Sequence, residues 1–282
     1  MQPGTPSATA ISVASLRAAH LHLFDAPKIH EDTFALQMSG ARDAEELKAR
    51  LQKSKLPDLQ RVSAYFACRH RFSEDRMWAA LDRGVRQVVL LGAGLDTLAL
   101  REPAISTRVM FVEIDHPDSQ RWKLERLRAI GLPTAGVHYV PVDFASQVLE
   151  EELSVAGVRS DQPTFFAWLG VTQYISEAAG IATLALAGKY APGSEIVFDV
   201  IIPFEDLNPD DLRISLAARA SSQERGEPWI SFYRPEEIAP RLLAHGFANV
   251  QPQTPEDASR YYVGQPPGVA PLSAWQLIAA VV

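Results

Sequence analysis

From residue 87 onward one pattern repeats: a short run apolar at nearly every position, then a longer stretch whose apolar residues return at helical spacing. The runs are QVVLLG (87–92), RVMFVEID (108–115), HYVPVD (138–143), TFFAWLG (164–170) and EIVFDVI (195–201). Between them lie PDSQRWKLERLRAIG (117–131), SQVLEEELSVAG (146–157) and SEAAGIATLALAGKY (176–190). Strands apolar on both faces and joined by helical crossovers predict an α/β fold, a doubly wound, mostly parallel sheet covered on each side. Pro, Asp or Ser opens each helix, and Gly131 and Gly157 stand where C-caps belong. The end of the chain departs from this rhythm. RPEEIAPRLLAHGF (234–247) predicts a helix, then ANVQPQ (248–253) and AWQLIAAVV (274–282) predict two strands with no helix between them, hence an antiparallel pair.

The region before residue 83 shows no strand pattern. Residues 11–82 mix charged and apolar positions at helical spacing, and DAEELKARLQ (43–52) runs from acidic to basic as a helix dipole favours. This reads as a helical N-terminal cap on a core of residues 83–282. The opening MQPGTPSATA (1–10), rich in Gly, Pro, Ser and Thr, predicts a disordered leader. Residues 203–233 are expected to cover the substrate.

Composition narrows the functional classes. The 282 residues are 47% hydrophobic and 22% charged, which suits a globular chain with a sizeable core. A net charge of −7 speaks against a nucleic-acid partner. No stretch reaches the roughly 18 apolar residues that span a bilayer, and no membrane partner is expected. The lone Cys68 excludes an internal disulfide and fits a reducing, cytoplasmic setting. His20 and His22 form an H-x-H pair with no further ligands around it, so no metal is expected.

The candidate chemistry gathers at strand ends, where doubly wound sheets bind ligands. Gly92 and Gly94 end the first strand in a turn that lets backbone approach a ligand closely. Asp115 follows about 20 residues later, the separation at which an acid meets a ribose diol. Asp143 closes the third strand. Together they favour a nucleoside. The turn reads G-A-G-L-D-T, with Thr97 where a dinucleotide fingerprint has its third glycine.

These residues resemble the leucine carboxyl methyltransferase-like family of S-adenosylmethionine-dependent O-methyltransferases. The likeness rests on CRHRFSED (68–75), QVVLLGAGLDT (87–97), FVEIDHP (111–117), VPVDF (140–144) and FFAWLGVTQYI (165–175), and covers most of the chain from about Ala18. It implies a Rossmann-like class I methyltransferase core of seven strands, with S-adenosyl-L-methionine as cofactor. It further implies that Arg69 holds the methionine carboxylate, Gly92 and Gly94 form the glycine turn, and Asp115 binds ribose. Asp143 and Phe144 would lie beside adenine. Two positions depart from the family pattern. Leu98 replaces an arginine after the D-T pair, and Trp168-Leu169-Gly170 replaces A-E-G, which removes a glutamate near the cofactor's ammonium. The ammonium is then expected on the Gly92 or Leu169 carbonyl.

Methyl transfer from a sulfonium asks the protein mainly to align a nucleophile and exclude water. The implied acceptor is a carboxylate of a small molecule or a peptide end, which needs no general base. A hydroxyl acceptor, phenol or enol, would benefit from one, and His70 is the candidate. Tyr174 and Gln173 are expected to face the acceptor, and Trp229, Phe232 and Tyr233 to lie over or near it. Natural-product biosynthesis is a setting that fits a small acceptor. A nicotinamide-dependent reductase and a catalytically silent nucleoside-binding module are the alternative readings.

Overall fold

In a computed structural model describing residues 7–143 and 147–282, the apolar runs form the strands of one sheet. These are β1 (Gln87–Leu91), β2 (Met110–Asp115), β3 (His138–Pro141), β4 (Thr164–Trp168), β5 (Glu195–Ile201), β6 (Asn249–Pro252) and β7 (Trp275–Val281). Their spatial order is β3-β2-β1-β4-β5-β7-β6. The first five strands pair in parallel, while β7 runs antiparallel to both β5 and β6. Strand order reverses between β1 and β4, so their carboxyl ends form the crevice where this architecture places ligands.

Register explains why the runs are apolar throughout. Val88 lies beside Phe111 and Phe165, and Val89 beside Val112 and Phe166. Alternate residues therefore enter opposite cores. On one face Val89, Val112, Phe166, Trp168 and Phe198 pack with Leu184, Ile238 and Leu242. On the other, Val88, Phe111, Phe165 and Val197 pack with Phe72, Met77, Ala80, Leu81 and Ile105.

The N-terminal region is helical as expected: α1 (Ala8–His22), α2 (Ala35–Met38), α3 (Ala44–Lys53) and α4 (Leu59–Asp82). Its second half carries α4 onto the sheet, while Leu16, Leu47, Leu51, Val62 and Tyr65 meet Ile201, Ile214 and Trp275 in a separate cluster over the strand ends. The following helices are α5 (Leu98–Arg101), α6 (Ile105–Arg108), α7 (Pro117–Ala129), α8 (Leu149–Val155), α9 (Glu177–Ala187), α10 (Pro209–Glu224), α11 (Pro235–Ala244) and α12 (Pro255–Ser259).

Two expectations are corrected. Ser7 to Ala10 are not leader: the Ser7 side chain caps α1 by accepting from the Ala10 N–H, and α1 starts at Ala8. Residues 203–233, for which the sequence reading named no element, contain the 16-residue α10, with Asn208 as N-cap and Pro209 opening the helix. Finally, β6 and β7 are separated by α12, whose Thr254 and Asp257 form a capping box. The antiparallel pairing stands, because a short helix within the connection leaves the reversal of direction intact.

Candidate functional site

The loop after β1 is built around its two glycines. Gly92 and Gly94 have φ of +67° and +51°, the left-handed region that disfavours side chains. Packing adds a second reason: a Cβ on Gly92 would lie 2.4 Å from Val171 Cγ2, and one on Gly94 3.4 Å from Ala10 Cβ. The loop after β4 thus presses on one glycine and α1 on the other. Behind them, Asp115 at the tip of β2 accepts from the Gly94 N–H and, at 2.6 Å, from the His116 N–H. Burial pushes the Asp115 carboxyl up, and these two donors oppose the shift.

Over this floor lies a cavity of about 430 Å³, within the usual range for small-molecule sites. Gly92, Gly94, Asp115, Leu169 and Arg69 line it, as do Ser7, Thr9 and Ala10 from the start of α1. The roof is tied down from across the opening. The Glu227 carboxylate accepts from the Ser7 hydroxyl and the Thr9 N–H, both at 3.2 Å, and Ser119 Oγ accepts from the Ser7 N–H at 3.3 Å. Deeper in α1, Arg17 donates to the Leu95 carbonyl at 2.6 Å and to Asp32 at 2.8 Å. Arg101, three residues beyond Leu98, donates to Thr97 at 3.0 Å and to Glu74 at 3.1 Å. It bonds the threonine of the D-T pair from one turn further along. Glu74 is held down to about 2, its hydrogen bonds and ion pairs with His30 and Arg101 outweighing burial.

His70 lines this cavity with both ring nitrogens engaged. Nδ1 donates to the Phe66 carbonyl at 2.9 Å, so Nε2 is the acceptor facing Arg17 Nη1 at 3.3 Å. Burial and the neighbouring cations hold its pKa well below the usual histidine value. It stands as a neutral wall residue.

A second cavity of about 270 Å³ adjoins the first. Thr9, Val13, Arg69, Gly170 and Tyr174 line both. Phe66, Leu16, Trp229 and Trp275 give the second an apolar, aromatic wall, and Gln173, Asp199 and Arg225 its polar points. Trp229 Nε1 donates to the Tyr174 hydroxyl at 3.4 Å and Ser222 Oγ lies 3.5 Å from it, which sets the phenol at the junction. Tyr174 and Gln173 therefore meet at the second cavity, whereas His70 lines only the first of the two. Phe232 packs edge-on against Phe204, and Tyr233 against Gly180; neither lines either cavity.

The first cavity suits a nucleoside with an amino-acid tail. Its floor is backbone and one carboxylate, with lone pairs left on Asp115 for a diol. At the far end Arg69, 4% exposed, has no partner for its Nε among the described residues, and neither has Thr9 Oγ1. A buried guanidinium with an open N–H is suited to a carboxylate. Asp143 lies beyond β3 without lining the cavity, its N–H donating to Gln147 Oε1 at 2.9 Å. Phe144 falls outside the described residues. His20 is occupied otherwise: its Nε2 accepts from the Ile29 N–H at 2.9 Å. Among the described residues no group of side chains forms a metal cluster, and no helix is long and apolar enough to cross a membrane.

Sequence reasoning missed Ser7, Thr9, Glu227 and Asp199. The first two were hidden in leader-like composition. Asp199 did leave a signal, since an acid in the middle of the buried run EIVFDVI must have a partner.

Known proteins resemble this chain in sequence and in fold. The family model described as leucine carboxyl methyltransferase matches residues 10–187. YktD of Bacillus subtilis (strain 168), which carries the name of an S-adenosyl-L-methionine-dependent methyltransferase, is 27% identical over 284 residues, 91% of either chain. A Mycobacterium tuberculosis (strain ATCC 25177 / H37Ra) protein named in the same way is 34% identical over 206 residues, covering 68% of this chain and 64% of its own. The chain spans 44% of a similarly named Parafrankia protein, at 39% identity over 49% of its own length. Among solved structures, a Thermobifida fusca YX protein described as a methyltransferase matches with a TM-score of 0.58 and 17% identity, over 99% of this chain and 96% of that one. A DUF574 family protein from Streptomyces avermitilis matches at 0.57 and 13%, over 87% and 94%. At such identities the structural likeness is one of fold.

Proposed function

The chain belongs to the leucine carboxyl methyltransferase family, and on that premise we propose that it methylates a carboxylate oxygen of an acceptor seated in the second cavity. It is an S-adenosyl-L-methionine-dependent methyltransferase, and this sets aside the nicotinamide-reductase reading. Bound in the first cavity, the cofactor would supply an activated methyl group on a sulfonium. Asp115 would hold the ribose, the glycine turn would lie along the tail, and Arg69 would take the tail's carboxylate.

The observation that carries the reading is the shared wall of the two cavities. Donor and acceptor can then meet at Tyr174 and Gly170 without crossing solvent. Tyr174 and Gln173 orient the acceptor oxygen by hydrogen bonds, and α1 closes the roof against water. A carboxylate is ionised at neutral pH and already nucleophilic. That suits a junction where the nearby histidine is neutral and bonded through both nitrogens. An acceptor cavity of about 270 Å³ favours a small molecule over a bulky protein end.

The test is to incubate the protein with methyl-labelled cofactor and a panel of small aromatic and aliphatic acids alongside peptides with free C-termini. Carboxylate methylation gives label released as methanol by mild alkali, because esters hydrolyse and ethers do not. Alkali-stable label overturns the carboxylate assignment. Labelling confined to peptide C-termini overturns the small-molecule one.

A further inference from the structure

Among the described residues Arg69 is the one cation shared by the two cavities, and the question is what fixes it. A buried guanidinium without a compensating carboxylate is strongly unfavourable, and a long side chain that can reach two cavities needs an anchor to serve one of them. The anchor comes from the far side of the crevice. Asp199 on β5, 2% exposed, accepts from Arg69 Nη1 at 3.0 Å. The same carboxylate accepts from the Gly170 N–H at 2.5 Å and from the Tyr65 hydroxyl at 3.3 Å, with Tyr65 stacked on Trp275. Three donors hold it, two from α4 and one from the loop after β4. The Arg69 guanidinium carbon stands 4.8 Å from the centre of the Phe66 ring, and a Cβ on Gly170 would come within 2.8 Å of Arg69 Nη1. Gly170 is thus a glycine for space as well as for its φ of +74°. Nη1 and the ring face are committed, and Nε remains without a partner.

We propose that Asp199 is a positioning residue for the cofactor: by fixing Arg69 through Nη1, it leaves the Nε side of the guanidinium to receive the carboxylate of the amino-acid tail. This rests on the reading that the first cavity holds S-adenosyl-L-methionine. Arg69 makes its ion pair with Asp199, so without that acid the guanidinium is free to rotate and its Nε edge is no longer held ready for the tail carboxylate.

The test uses two ligands that differ in the tail. S-adenosylhomocysteine carries the amino-acid carboxylate, and 5′-methylthioadenosine lacks it. Calorimetry on the full chain measures both affinities for wild type, Asp199→Asn, Arg69→Gln and the double variant, with a thermal melt to show that each is folded. Asp199→Asn keeps the side chain's shape and its oxygen for Gly170. It should weaken S-adenosylhomocysteine about tenfold and leave methylthioadenosine unchanged. In the Arg69→Gln background the second substitution should add nothing, since both act on one contact. Equal loss of both ligands would mean a merely structural role and overturn the proposal, as would unchanged affinity for both. Additive losses in the double variant would overturn it too. If Asp199→Asn does not fold, selective loss of S-adenosylhomocysteine in Arg69→Lys decides, because a lysine lacks the second N–H edge that the proposal requires; undiminished binding there overturns it. Wild-type protein that binds neither ligand overturns the cofactor reading itself, and this inference with it.

Discussion

The two adjoining cavities are built from different materials. The first is floored by backbone at the tips of consecutive strands, with glycines chosen by φ and one carboxylate locked by two main-chain N–H groups. The second is walled by side chains from helices and strand ends far apart in sequence: Leu16, Phe66, Trp229 and Trp275. A backbone floor tolerates few substitutions, because each residue is there for geometry. A side-chain wall can be repacked while the fold stands. On the proposed assignment of the two cavities, the difference teaches that cofactor binding is set by the architecture, whereas acceptor choice is set by residues the architecture leaves free.

The sharpest way to break the comparison is Gly92→Ala. Its Cβ would need to displace Val171 and sit at positive φ, a strain of about 1–3 kcal/mol that is expected to weaken S-adenosylhomocysteine by as much as ~100-fold. Calorimetry checks it, and tight binding by a folded variant would show that the floor is not geometric. Asp115→Ala comes next. Losing a buried carboxylate that meets a diol should cost about 1–3 kcal/mol of cofactor affinity. The acceptor's KM at saturating cofactor should hold steady in that variant.

Trp229→Ala probes the other side. Removing one aromatic wall should raise acceptor KM by about tenfold, given about 1.5–3 kcal/mol for a large apolar side chain, and leave cofactor affinity unchanged. A fall in cofactor affinity would merge the two cavities into one site.

Acidification gives the smallest effect and acts on the helical roof. Burial holds His20 down to about 4 and His70 well below the ordinary value. The unfolded chain therefore takes up protons below about pH 6.5 that the folded chain refuses, and stability falls as pH drops. At pH 5.5 this is about 1 kcal/mol for His20, read as a lower melting temperature, His70 adds a loss of the same sign, and stability from these groups is fully present above pH 6.5. Glu74, held to about 2, extends the loss below pH 4.5. A His20→Gln variant should show a shallower slope between pH 7 and 5; an unchanged slope would remove His20 from the account.

The same contrast decides what the sequence could reveal. Gly92, Gly94 and Asp115 were legible because they lie at the ends of apolar runs, where residue type and place in the fold coincide. Strands β1, β2, β4 and β5 were legible for the same reason, being buried along nearly their whole length. Arg69 came from its resemblance to a family motif, but its partner did not, since Asp199 is 130 residues away and only folding pairs them. Helix α10 escaped because Ala and Ser fill its turns and blur the apolar stripe, although Asn208, Pro209 and two acids mark its start. Ser7 and Thr9 escaped because a helix N-cap and a loose leader draw on the same small polar residues. Leu98, an apparent gap in the family pattern, is met by Arg101 one turn later.

The most direct test is a crystal structure with S-adenosylhomocysteine bound. The account predicts the ribose hydroxyls on Asp115, the tail carboxylate on Arg69, and the sulfur facing the junction at Tyr174. Adenosine lodged elsewhere, or a crevice at the ends of β1 and β4 filled by side chains, would contradict it.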